Sequence, residues 1–176
     1  MASARSNEGA VIINPDTADR VGHRVPVEEI DHPTVLEALR VWDEQRGDRN
    51  FPSKAAMTPR RMKTFLRNIV LIAAIGERPD YEYRIFGDAA VVAFGQNCTG
   101  MRIDALNRLQ PGYGEVMGRL FDFVRRSGSP VFVRGTLMRA LNSADEQQAV
   151  FLPLGSDEAV DHILYVGGYK RVSRDP

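Results

Sequence analysis

The sequence predicts an α+β domain built on an antiparallel sheet, and three observations predict it. Segments of helical period come first, two strand-like runs follow, short helical pieces and one longer amphipathic helix intervene, and three strand-like runs close the chain. That order lacks the strand–helix–strand alternation that builds a parallel sheet. The chain has 176 residues, enough for one domain that buries roughly 70% of its unfolded surface without disulfides or structural metal. Its composition, 43% hydrophobic and 26% charged, is that of an ordinary globular domain.

Residues 1–28 are rich in Ser, Asn, Asp, Gly and Pro, with Val11, Ile12 and Ile13 the one apolar cluster, and read as a flexible arm. The folded domain is expected over 29–176, with N-terminal helices in 29–67 and the sheet-forming core in 68–170. Asp31 can cap a helix with Pro33 in its first turn, where a missing N–H costs little. Val35, Leu36, Leu39 and Trp42 then share one face, and Gly47 stops the helix. Thr58 and Pro59 open a second helix that turns Met62, Phe65 and Leu66 inward.

Ile69 to Ile75 is a continuous apolar strand suited to burial on both faces. A turn at Glu77–Asp80 leads to a second strand, Tyr81 to Phe86, completing a hairpin. Simple alternation puts Tyr81, Tyr83 and Ile85 on one side and Glu82, Arg84 and Phe86 on the other. Asp88 caps a short helix through Phe94, which Gly95 closes. Ile103 to Leu109 forms another helical turn, and Pro111-Gly112 breaks the chain. Tyr113 to Ser127 is an amphipathic helix with Val116, Met117, Leu120, Phe121 and Val124 in one stripe, ended by Gly128. Pro130 to Arg139, Glu146 to Leu154 and Val160 to Tyr169 are the last three strands, separated by polar turns.

Lysine plus arginine and aspartate plus glutamate number 23 each, so the net charge is zero. That speaks against a nucleic-acid binder driven by general attraction to phosphate. Cys98 is the one cysteine, so no intrachain disulfide forms and a reducing, cytoplasmic compartment is expected. The first nine residues carry no signal-peptide core, and the run Ile69–Ile75 is too short to span a bilayer. The cluster Pro59-Arg60-Arg61-Met62-Lys63 with Arg67 reads as a solvated helix face.

Trp42-Asp43-Glu44-Gln45-Arg46-Gly47, Phe51-Pro52-Ser53-Lys54, Tyr83-Arg84-Ile85-Phe86-Gly87, Thr99-Gly100 and Leu152-Pro153-Leu154, in that order, resemble the landmarks of one PAS-like family, PAS family five, made of short bacterial proteins. The similarity runs from Asp31 to Tyr169 and departs at Ser53-Lys54, where an arginine is usual. The resemblance implies a five-stranded antiparallel sheet, helices over one face, the N-terminal helices near the other, and a sensory or regulatory role in signal transduction without catalysis. It also implies a pocket between sheet and helices for a small ligand, or action through a protein partner. Tyr83, Arg84, Phe94, Cys98, Met101, Met117, Phe121, Phe132 and Met138 are the candidates to line it, mostly apolar with Arg84 as a polar anchor. Arg84, in a strand, must meet either a ligand or an acid on a neighbouring strand. Trp42, on an amphipathic helix outside the core order, suggests a homodimer through that helix and an open sheet face.

Two other function classes have partial counterparts among the residues. Gly95-Gln96-Asn97-Cys98 resembles the Gly-Arg-Asn-Cys of flavin-binding LOV photosensors. However, Gln96 replaces the phosphate-binding arginine, Thr99-Gly100-Met101 departs from the continuation, and Ile163–Gly168 lacks the glutamine that reads the flavin edge. The thiol reads instead as a small packed hydrophobe. PAS haem sensors place an axial histidine on the connecting helix, and Tyr113–Ser127 has none; the histidines are His23, His32 and His162, without metal-ligand spacing. No cofactor is therefore expected. An enzyme is the third class, but Asp43-Glu44, Asp145-Glu146 and Asp157-Glu158 read as solvated charge, and no nucleophile elbow, phosphate loop or dinucleotide fingerprint appears.

Overall fold

The structure, a computed structural model, describes residues 22–76, 80–108, 111–138, 144–156 and 158–172; the side chains of 136–138, 144, 145, 171 and 172 lie outside that description. Six strands form one antiparallel sheet: β1 (His23–Val25), β2 (Ile69–Ile75), β3 (Asp80–Phe86), β4 (Val131–Met138), β5 (Ala144–Gly155) and β6 (Val160–Val172). Their spatial order is β1-β4-β5-β6-β2-β3. Three α-helices accompany them, α1 (Pro33–Arg46), α2 (Asp88–Phe94) and α3 (Tyr113–Ser127), with a 3-10 segment at Ile103–Arg108 before α3.

The sheet has one strand more than expected. The extra strand is His23–Val25, in the segment read as arm, and it pairs with β4 through His23↔Arg134 and Val25↔Phe132. Three residues with a single apolar member leave almost no periodic signal, which is why the strand escapes a pattern reading. Val11–Ile13 and most of the arm lie outside the described residues.

Cross-strand partners share a face, so the register divides the side chains. Phe151, Tyr165, Val70 and Val131 point to one face, and Val150, Leu152, Leu164, Val166 and Leu71 to the other. Both faces are covered. Over the first lie α2, the 3-10 segment and α3, whose buried stripe Val116, Met117, Leu120, Phe121 and Val124 matches the sequence pattern. Over the second lies α1, burying Val35, Ala38, Val41 and Trp42. Continuous apolar runs in β2 and the middle of β5 follow from this two-sided burial.

Local details correct three expectations. His32, not Asp31, caps α1: its Nδ1 accepts from the Thr34 amide at 3.2 Å, because the Asp31 carboxylate accepts from Gln148 Nε2 at 2.5 Å. The second helix does not form. Residues 58–65 make irregular turns closed by bonds such as Phe65 N–H to Met62 C=O at 2.9 Å, then a 3-10 turn at Leu66–Asn68. Met62 and Phe65 are still buried, so the apolar residues are spent on packing while the backbone crosses from α1 to β2. The basic residues there share no helical face; Arg67 pairs with Asp88 at 2.9 Å.

The third correction concerns β3. A register shift between Leu71 and Ile72 places an extra residue in β3, so that Leu71 faces Ile85 but Ile72 faces Tyr83. Alternation breaks there. Ile85 turns to solvent at 45% exposure, while Phe86 joins Tyr83 with ring centroids 5.2 Å apart.

Candidate functional site

Six aromatic rings close a circuit over the face covered by α2 and α3. Centroids run from Tyr83 to Phe86 at 5.2 Å, Phe86 to Phe94 at 5.8 Å and Phe94 to Tyr165 at 5.8 Å. They return from Tyr165 to Phe151 at 5.2 Å, Phe151 to Phe121 at 6.0 Å and Phe121 to Tyr83 at 6.4 Å. All are edge or tilted contacts, the arrangement ring quadrupoles favour. β3 supplies Tyr83 and Phe86, α2 Phe94, α3 Phe121, β5 Phe151 and β6 Tyr165, so one circuit ties both helices to the sheet. By register, Val70 and Ile72 of β2 lie on the sheet face between β3 and β6.

A polar chain leaves this apolar site through Tyr165. Its hydroxyl accepts from Gln147 Nε2 at 2.6 Å and shares a hydrogen bond with the Tyr169 hydroxyl at 2.9 Å. Gln147 is 4% exposed, and its Oε1 is buried with no hydrogen-bond partner among the described residues. Gly167 makes the close approach of the tyrosines possible: a Cβ there would sit 2.3 Å from the Tyr165 oxygen and 2.4 Å from that of Tyr169. Burial pushes the Tyr165 hydroxyl well above its ordinary range, with Tyr169 and Tyr113 adding to the effect, and burial pushes Tyr169 up to about 12. Burial likewise raises Tyr83, again with Tyr113 nearby. These hydroxyls therefore stay protonated at neutral pH.

Of the residues expected to line a pocket, Tyr83, Phe94, Met117 and Phe121 are brought together here. Cys98 and Met101 belong to a segment that shields the outer edge of β3. There the Gly100 amide donates to the Tyr83 carbonyl at 2.7 Å and the Tyr83 amide to the Met101 carbonyl at 3.0 Å. Cys98 is buried, with Gln96 Nε2 at 3.3 Å from its sulfur. Arg84 does not reach the site: it is 51% exposed and pairs with Glu82 of its own strand at 2.9 Å. Phe132 pairs with Val150 on the opposite face of the sheet. The Met138 side chain lies outside the described residues.

Gln147, Tyr165 and Tyr169 escaped the sequence reading. The available signal was Gln147-Gln148 as two adjacent polar residues inside a strand whose neighbours Ala149, Val150 and Phe151 are apolar on both faces.

Trp42 is 4% exposed and donates its indole N–H to the Pro153 carbonyl at 2.8 Å. The face expected to be open for a second copy is thus covered by this chain's own α1. A groove of about 1250 Å³ lies beside it, along α1 and the C-terminal part of α3, with Leu36, Phe51, Asp122, Arg126 and Glu158 among its walls. Among the described residues no group of three or more His, Cys, Asp and Glu is placed to hold a metal ion, and no helix is long and apolar enough to cross a membrane.

A family model described as PAS domain, that of the fifth PAS family, matches residues 30–167. No curated protein and no solved structure matches the chain. The match covers β2 to β5, most of β6, the helices over the first face, and α1, while β1 lies before it. With its antiparallel order and the motifs at Trp42, Phe51, Tyr83 and Leu152 in place, the chain belongs to the PAS domain family.

Proposed function

We propose that the protein is a non-enzymatic sensory or regulatory module that takes a small ligand into the space bounded by the aromatic circuit. The observation that carries this reading is the circuit itself. It joins β3, β5 and β6 to α2 and α3, so an occupant that parts the rings must move both helices relative to the sheet. α1 and α3 both pack on β5 and β6 from opposite faces, which gives a route from the interior to the outer surface. The mechanism is a population shift: an occupant favours one packing of the helices, and a partner protein binds that packing more tightly. The lone cysteine, Cys98, supports action in a reducing, cytoplasmic compartment.

Native mass spectrometry of the freshly purified full chain, recorded with its absorption spectrum, tests this reading. A bound mass in the hundreds of daltons or less, without absorbance near 450 nm or 400 nm, is the expected result. A stoichiometric flavin or haem spectrum would replace the reading with a chromophore sensor.

A further inference from the structure

We infer that Gln147 is the recognition residue of the circuit, and that the ligand it selects is a small, neutral, planar molecule that donates one hydrogen bond. The inference rests on the sensory reading of this circuit and adds the chemistry of what it would take in. Gln147 has two polar ends, and its Nε2 is used on Tyr165. The other end, Oε1, is buried and unpartnered among the described residues. A buried amide oxygen left without a hydrogen bond carries its full desolvation cost, so a ligand N–H or O–H aimed at it recovers that cost.

The neighbour Gln148 sets the contrast. On the opposite face of β5, its Oε1 accepts from the Asp31 and His32 amides, both at 2.9 Å, and its Nε2 donates to Asp31. Both polar ends of that glutamine are used in holding the chain before α1. Gln147 is not.

The surroundings specify the rest. The rings of Phe94, Phe151, Tyr83 and Tyr165 meet in edge and tilted contacts, and a flat apolar body that parts them finds ring edges and faces to pack against. The register places Gly135 of β4 across from Gln147, so no side chain stands directly opposite the amide on that strand. Ala149, two residues on along the same face, is small. The described donors and acceptors around the amide are an amide and phenols, all uncharged, so a carboxylate or ammonium carried into the site meets no counter-ion among the described side chains.

Phenol is the probe, with anisole and benzoate as controls of the same ring. Phenol has the donor, anisole lacks it, and benzoate is charged. The full chain, labelled with nitrogen-15, is titrated with each while the Gln147 side-chain amide signals are followed. Phenol is expected to shift them saturably, anisole to bind about tenfold more weakly, and benzoate to leave them unchanged. Gln147→Leu, monitored through Phe94 and Phe151 ring signals, should bind phenol and anisole alike. Gln147→Met serves in the same role should the leucine variant fail to fold. Equal affinity for phenol and anisole in the unaltered protein overturns the inference, as does discrimination that survives loss of the amide, or no response to either. Should phenol bind with the expected preference while native mass spectrometry and the outer face give no sign of sensing, the recognition chemistry stands and the sensory reading falls.

Discussion

Two adjacent glutamines in β5 carry opposite burdens, and stability measurements should separate them. Gln148→Leu strips the Asp31 and His32 amides of their acceptor. It should destabilise the fold by about 1–3 kcal/mol in urea unfolding, the cost of stranding such donors. Gln147→Leu removes one hydrogen bond but also a buried oxygen that had none, and should change stability by less than about 1 kcal/mol. Equal losses would contradict the assignment of the two roles. Asp31 adds a pH signature. Its hydrogen bond from Gln148, then the charges of Arg134 and Lys170, outweigh burial and hold its carboxyl below the ordinary value. A depressed folded value stabilises the fold above the unfolded value and is lost as pH falls through the folded one. Between about pH 5 and about pH 2, Asp31→Asn should lose less of its urea midpoint than the unaltered chain. The difference is small because the carboxylate is exposed, and parallel curves would contradict it. At this scale the sequence spoke unevenly. Cys98 is packed, as its small apolar character suggests. Arg84 is a pocket candidate only if its strand is buried throughout, and the structure leaves it 51% exposed beside Glu82; Gln147 announces itself only once both faces of β5 are known to be covered.

The elements were the most legible level. β2 and α3 begin and end where the apolar runs and their bounding glycines place them. Gly128, at φ 60°, and Gly95, at φ 82°, take the left-handed conformations that stop α3 and α2. Patterns failed where a single residue changes the phase. The bulge opposite Leu71 and Ile72 moves Ile85 out and Phe86 in, and no period-2 reading of Tyr81–Phe86 contains that slip. The consequence is measurable. Ile85→Lys should cost no more than about 0.5 kcal/mol, while Phe86→Lys, which breaks the circuit at two ring contacts, should cost roughly 2 kcal/mol or more. The reverse ranking would restore simple alternation. The 58–65 segment failed for a different reason. Its apolar residues recur at helical spacing because Met62 and Phe65 must both reach the core, yet the backbone turns irregularly between them. Burial and backbone period are separate demands, and only the first was met.

At the scale of the whole molecule, a six-stranded sheet lies between α1 on one face and α2 with α3 on the other. The motifs from Trp42 to Leu154 resembled those of the PAS family, and the order of elements foretold the antiparallel sheet. It could not foretell that α1 closes the second face with Trp42 hydrogen-bonded to Pro153, because long-range docking leaves no local pattern. That docking supplies a natural reporter. Trp42 is the only tryptophan in the chain, so its indole N–H gives one isolated nitrogen-15 signal, on the sheet face opposite Gln147. Titrating the full chain with phenol while following the Gln147 side-chain amide and the Trp42 indole together tests the central claim most directly. The account predicts that both signals move along a single saturation curve, because an occupant of the circuit repacks the sheet between them. A Gln147 signal that saturates while the Trp42 indole stays fixed would contradict it, for the interior would then bind without the outer face being told.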